Sequence, residues 1–135
     1  MKNIILLMTP ILLAVGAHAQ TIRAGNYTTK GSIDSDGTIR NSSYLAVGYI
    51  KKDGSIRNSS YNTIGYIEND GTVRNASYNT VGYIKKDGTV RNSSYNTIGY
   101  VKDDGTVLNS SYNTIGHASG VKKEWVAVVF FFFDL

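Results

Sequence analysis

The sequence predicts an all-β single domain built from short hairpin repeats, and three observations carry that prediction. Segments starting at Gly31, Gly48, Gly65, Gly82 and Gly99 align without a gap, which sets a period of 17 residues. Units this small cannot bury an apolar face alone and are completed by their neighbours. Each copy places Asp-Gly between stretches rich in Ile, Val, Thr and Tyr, a hairpin signal. With no cysteine in 135 residues, packing and backbone pairing must hold the fold without disulfide staples, and a closed or well-capped sheet meets that need.

Taken in order, the chain opens with Lys2, the apolar run Ile4 to Val15 and Ala17-His18-Ala19. These have the charged, apolar and small-x-small parts of a secretory signal peptide, expected over residues 1–19 with the mature chain starting at Gln20. The run is shorter than the roughly 20 residues of a membrane-spanning helix. The protein is therefore expected to be exported, to the periplasm, the outer surface or the medium. With Lys2 set aside, 13 basic residues face 10 acidic ones, a balance too mild to imply nucleic acid. Residues 21–30 then match the second half of a unit, Thr21-Ile22-Arg23 lying in register with Thr38-Ile39-Arg40. Full copies follow at 31–47, 48–64, 65–81, 82–98 and 99–115, all within one domain, 20–135.

Hairpin register follows from which loop length pairs apolar with apolar. A two-residue Asp87-Gly88 loop sets Ile84 against Arg91, whereas a three-residue Lys86-Asp87-Gly88 loop sets it against Val90. The longer loop is a type I turn closed by a left-handed glycine bulge. The same choice pairs Ile33 with Ile39, Ile50 with Ile56, Ile67 with Val73 and Val101 with Val107. It also sets Tyr49 across from Arg57, Tyr66 from Arg74 and Tyr83 from Arg91.

Asn-Ser-Ser-Tyr or a close variant ends each unit's second strand, and its small polar side chains suit a backbone-bonded turn. In Ile98-Gly99-Tyr100-Val101, two apolar residues fall on opposite sides of a strict strand. Either both faces are covered or a bulge near Gly99 switches sides. The pattern then lapses: Leu108 replaces the arginine, His117 replaces the tyrosine, and Ala118-Ser119-Gly120 ends it. Trp125 to Phe133 is nine apolar residues without alternation, predicted to be a C-terminal core strand (125–133) buried on both faces.

The unit Gly-Tyr-Ile-x-x-Asp-Gly-Thr-Val-Arg-Asn-Ser-Ser-Tyr-Asn-Thr-Ile, the leader ending near Ala19-Gln20 and the closing Glu124-Trp125-Val126 to Phe133 together resemble the five-fold beta-flower proteins. The resemblance covers essentially all of the mature chain. It implies a small exported bacterial protein with five hairpin petals around a pseudo-fivefold axis, here enclosing the apolar tail. The family carries over no catalytic or binding residue. Ser32, Leu45-Ala46 and Leu108 depart from the unit in the first and last petals. Choline-binding and MORN repeats share short hairpins, but their aromatic and glycine spacings differ.

Chemistry is sparse. His117 is the single histidine after the leader, no cysteine can act as nucleophile, and the serines of Asn-Ser-Ser are repeated turn residues. No enzymatic activity, metal or cofactor is expected. Lys51-Lys52 and Lys85-Lys86 put ammonium groups where calcium ligands would sit beside Asp-Gly. The ten tyrosines fall at two repeat positions. The row Tyr49, Tyr66, Tyr83 and Tyr100 with Arg57, Arg74 and Arg91 is the candidate ligand surface, suited to stacking and hydrogen bonding with envelope or extracellular polysaccharide. A non-enzymatic structural or binding module of the cell envelope is the leading expectation. The alternatives are a self-assembling adhesive or matrix protein joined through strand edges, and membrane association through Phe130 to Phe133.

Overall fold

The computed structural model describes residues 19–24 and 29–135. The expected signal peptide, Ala19 apart, lies outside the described residues. The described chain runs through β1 (Ala19–Ala24), β2 (Thr29–Asp34), β3 (Thr38–Asn41), β4 (Ala46–Ile50), β5 (Ser55–Asn58) and β6 (Thr63–Ile67). It continues through β7 (Thr72–Asn75), β8 (Thr80–Ile84), β9 (Thr89–Asn92), β10 (Thr97–Val101), β11 (Thr106–Asn109) and β12 (Thr114–His117). The twelve strands form one closed antiparallel barrel in which each pairs with its chain neighbours and β1 closes on β12.

Five Asp-Gly hairpins follow one another, and a further two-stranded unit comes from opposite ends of the chain. Arg23 sits opposite His117 and Ala24 opposite Gly116, the positions that Arg91 and Tyr83, and Asn92 and Gly82, hold within one hairpin. The half repeat at the start of the domain is thus the missing strand of the half repeat at its end. Closure removes every free strand edge of the ring.

Apolar matching sets the register. Ile84 lies across from Val90, Ile33 from Ile39, Ile50 from Ile56, Ile67 from Val73 and Val101 from Val107. In the turn, Gly88 N–H donates to Lys85 O at 3.0 Å and Lys85 N–H to Thr89 O at 2.8 Å. Gly88 has φ +93°, and a Cβ there would stand 2.0 Å from Val101 O, so both conformation and space demand glycine. On the other side of each strand pair, Thr97 faces Arg91 and Gly99 faces Val90, with Ile98 as the extra residue of a bulge. The bulge lets Ile98 and Val101 both join the interior cluster, which settles the two readings of that stretch.

Each turn aspartate is used locally. Asp87 Oδ1 accepts the Thr89 N–H at 2.9 Å, and Asp36, Asp53, Asp70 and Asp104 do the same for residues 38, 55, 72 and 106. These backbone bonds hold all five carboxyls below their ordinary value. A carboxyl lowered on folding adds stability above its unfolded value and loses it as pH falls through the folded one. The thermal midpoint should therefore fall once pH drops below the unfolded value of 3.8. Asp87→Asn with Asp53→Asn should flatten that fall in a pH series of melting curves.

The tail corrects the sequence expectation. Lys123–Ala127 is α-helix (α1) and Val128–Phe132 continues it as a π-helical turn closed by Phe133 N–H donating to Val128 O at 3.1 Å. It does occupy the core: Val126, Ala127 and Val128 are fully buried among Ile56, Val73, Val90, Val101 and Val107. The reason is backbone accounting. All twelve strands already have both neighbours, so an axial strand would leave its amides unpaired in an apolar interior, whereas a helix pairs them within itself. That demand outweighs the β propensity of Val and Phe.

Residue by residue, the tail is matched to the repeats. A Cβ on Gly116 would meet the Phe130 ring at 2.3 Å, one on Gly99 the Phe131 ring at 2.4 Å, one on Gly82 Phe132 at 2.3 Å and one on Gly65 Phe133 at 2.3 Å. Gly48 meets Leu135 at 3.1 Å. Consecutive plug residues therefore address glycines 17 positions apart in successive strand pairs. Six strand pairs divide the circle into sectors of about 60°, while an α-helix turns roughly 100° per residue. The wider i to i+5 turn over Val128–Phe132 takes a smaller step, about 80°, and so moves the rings toward the spacing of the strand pairs.

Candidate functional site

The plug occupies most of the interior and leaves a cavity of about 220 Å³ lined by Ile22, Ile39, Val129, Phe130, Phe133 and Leu135 among others; the repeated tyrosines and arginines lie on the outer wall and its turns. The strands are only four to six residues long, against the nine to eleven needed to cross a bilayer as a barrel. Their outward residues include the tyrosines and arginines.

One hairpin shows the arrangement. Tyr49 and Arg57 face each other across β4 and β5. The chain then turns at Asn58, whose Oδ1 accepts the N–H groups of Ser60 and Asn62, each at 3.0 Å. This turn carries Tyr61 into a left-handed conformation, φ 66°, a region that costs a non-glycine residue roughly 1–2 kcal/mol. The fold-back lets Arg57 Nη1 donate to Tyr61 O at 2.9 Å and brings the guanidinium 4.6 Å from the Tyr61 ring centre. Tyr61 also meets Tyr49 edge-on at 5.2 Å. Tyr66, Arg74 and Tyr78, and Tyr83, Arg91 and Tyr95, repeat the layer.

The departures from the repeat have local consequences. Where Leu108 replaces arginine, Tyr100 and Tyr112 collapse into a parallel stack at 4.6 Å and 13°. Where Ser32 replaces the first tyrosine, Tyr44 rests on Arg40 alone at 4.5 Å.

The candidate row Tyr49, Tyr66, Tyr83 and Tyr100 is brought into a belt round the outside of the barrel with Arg57, Arg74 and Arg91, but it is half-buried beneath the second tyrosine row. Tyr44, Tyr61, Tyr78, Tyr95 and Tyr112 are the exposed rings, at 47–66 %, and all five are left-handed. Cross-strand register places Tyr49 opposite Arg57, as found, but does not reveal the fold-back that adds Tyr61 over the same guanidinium. The five-fold recurrence of Asn-x-Ser-Tyr, asparagine three residues before tyrosine, is the signal that marks the turn.

Charge differs from one layer to the next. Arg74 Nε donates to Glu68 Oε2 at 2.9 Å, and Arg40 Nε to Asp34 Oδ2 at 3.0 Å. Tyr78 donates its hydroxyl to the same Glu68. That bond raises the Tyr78 phenol and, with Arg74, lowers the Glu68 carboxyl. In the β8–β9 hairpin Lys85 takes the place of the acid and donates to Tyr95 OH at 2.7 Å, which lowers the Tyr95 phenol. The equivalent Lys51 lies over Tyr61, 5.3 Å from the ring centre.

A family model described as 5-fold beta-flower protein matches residues 19–134. No curated protein and no solved structure matches the chain.

Proposed function

The chain belongs to the 5-fold beta-flower protein family, and from that premise we propose that it is a non-enzymatic exported module of the cell envelope that binds saccharide through its tyrosine and arginine rows. The observation that carries this reading is the set of five exposed tyrosines held in the left-handed region. Backbone strain repeated at equivalent surface positions, where glycine or asparagine would fit at lower cost, points to a use for the ring itself. Each of four rings, Tyr44, Tyr61, Tyr78 and Tyr95, is backed by a guanidinium, and a sugar stacks on the exposed part of the ring, displacing Lys51 and Lys85 from Tyr61 and Tyr95. Several weak equivalent sites set about 60° apart round the barrel favour a polymer that wraps it, through avidity.

Two observations favour this over the alternatives. The closed ring leaves no strand edge to polymerise, and Phe130 to Phe133 are seated on interior glycines instead of being presented to a lipid surface.

The test is a pull-down on a panel of envelope glycans and peptidoglycan with the purified protein. Retention on at least one polymer is expected. Tyr61→Asn, Tyr78→Asn and Tyr95→Asn together should remove it while the melting temperature changes little, because asparagine tolerates the left-handed turn. Silence on every polymer, or retention by the triple variant, would contradict the reading.

A further inference from the structure

The arginine layers are not equivalent, and the difference points to the chemical class of ligand. In β2–β3 and β6–β7, the Nε–H of Arg40 and Arg74 is satisfied by a carboxylate six residues earlier, Asp34 or Glu68. In β4–β5 and β8–β9 that position is Lys51 or Lys85. Among the described residues, the arginine Nε atoms left buried without a hydrogen-bond partner are those of Arg57 and Arg91. A buried N–H donor on a charged group with no acceptor is costly, and here it recurs at two matched positions.

The same two hairpins carry the positive charge. Lys51, Lys52 and Arg57 outnumber Asp53, and Lys85, Lys86 and Arg91 outnumber Asp87, whereas Asp34 and Asp36 outnumber Arg40, and Glu68 and Asp70 outnumber Arg74. Asp53 and Asp87 are occupied by their own turns, accepting from Ser55 and Thr89, so neither completes the arginine.

We propose that the outer walls of β4–β5 and β8–β9 are two equivalent sites for the carboxylate of an acidic saccharide, taking the place that Asp34 and Glu68 fill in the alternate hairpins. This rests on the saccharide reading above. Arg57 and Arg91 donate Nε–H to the sugar carboxylate once the surface lysine beside each swings aside. Lys51 and Lys85, which lie 5.3 and 5.2 Å from the Tyr61 and Tyr95 ring centres, then supply a second positive charge and uncover those rings for the pyranose. The adjoining tyrosine faces favour a uronic acid over an acidic peptide. With β6–β7 between them, the two sites suit one chain crossing an intervening acidic hairpin.

The experiment titrates the full protein with oligogalacturonate, a neutral glucan oligomer of equal length and polyglutamate, following arginine Nε–H resonances and the stoichiometry by calorimetry. Oligogalacturonate should move Arg57 and Arg91 and leave Arg40 and Arg74 in place. Lys51→Glu with Lys85→Glu supplies the internal carboxylate of the β6–β7 hairpin. That variant should fold, melt no lower than the parent and bind oligogalacturonate about ten-fold more weakly or worse. Glu68→Lys should add a third site. If the glucan binds equally well and no arginine signal responds, the acidic-ligand inference fails while saccharide binding stands. Polyglutamate binding without oligogalacturonate binding overturns the saccharide assignment of these two sites, and binding of none of the three overturns the acidic-ligand inference, while the glycan panel above decides the saccharide reading.

Discussion

Replacing Phe131 and Phe132 together with alanine is expected to lower the unfolding free energy by about 5 kcal/mol, a Phe→Ala change in a core costing about 3–5 and these partly exposed rings somewhat less. Whole domains are stable by only about 5–15 kcal/mol, so the double variant should lose from about a third to all of its stability. Replacing all four of Phe130 to Phe133 should leave no cooperative transition. The barrel wall is made of strands four to six residues long, and its inward face carries one glycine per strand pair where the rings sit. Without the plug that layer is an empty hole lined by backbone. Urea denaturation followed by near-ultraviolet circular dichroism reads the loss directly.

The complementary change fills the glycine layer. Gly99→Ala places a methyl 2.4 Å from the Phe131 ring and 2.6 Å from Leu108 O, so ring and backbone must both give way. Overpacking of this kind costs about 1–3 kcal/mol, occasionally more. Gly48→Ala meets its nearest neighbours at 3.1 Å, among them the flexible Leu135, and should cost distinctly less. A graded loss of melting temperature, with Gly99→Ala, Gly82→Ala and Gly65→Ala well below Gly48→Ala, is the expected pattern.

The hairpins were legible in the sequence because local chemistry specifies them. Asp-Gly with Ile and Val at three-residue-loop spacing admits one register, and that register is present in all five hairpins. The interior place of the phenylalanines was legible from their hydrophobicity. Their helical conformation was not, because it depends on closure: only once every strand has two partners does an axial strand become untenable. Five petals were expected where the ring has twelve strands, since pairing Arg23 and Ala24 with His117 and Gly116 joins segments more than 90 residues apart. On the outer wall, cross-strand tyrosine and arginine pairs were foreseen, whereas the exposed tyrosine row and the orphaned donors of Arg57 and Arg91 depend on how the Asn-Ser-Ser-Tyr turn folds back. Gly48, Gly65, Gly82, Gly99 and Gly116 read at first as repeat punctuation, and their partners are Leu135 and four consecutive phenylalanines.

That pairing is tested most directly by a double-mutant cycle on Gly99→Ala and Phe131→Leu, with Gly99→Ala and Phe133→Leu as the reference cycle. Because Phe131 is the ring that the new methyl strikes, the smaller leucine should recover part of the loss, giving a coupling of about 0.5–3 kcal/mol. Phe133 sits on Gly65, so the reference cycle should be additive to within about 0.5 kcal/mol. Equal coupling in both cycles, or none in either, would contradict a plug whose residues are assigned one by one to the glycines of the ring.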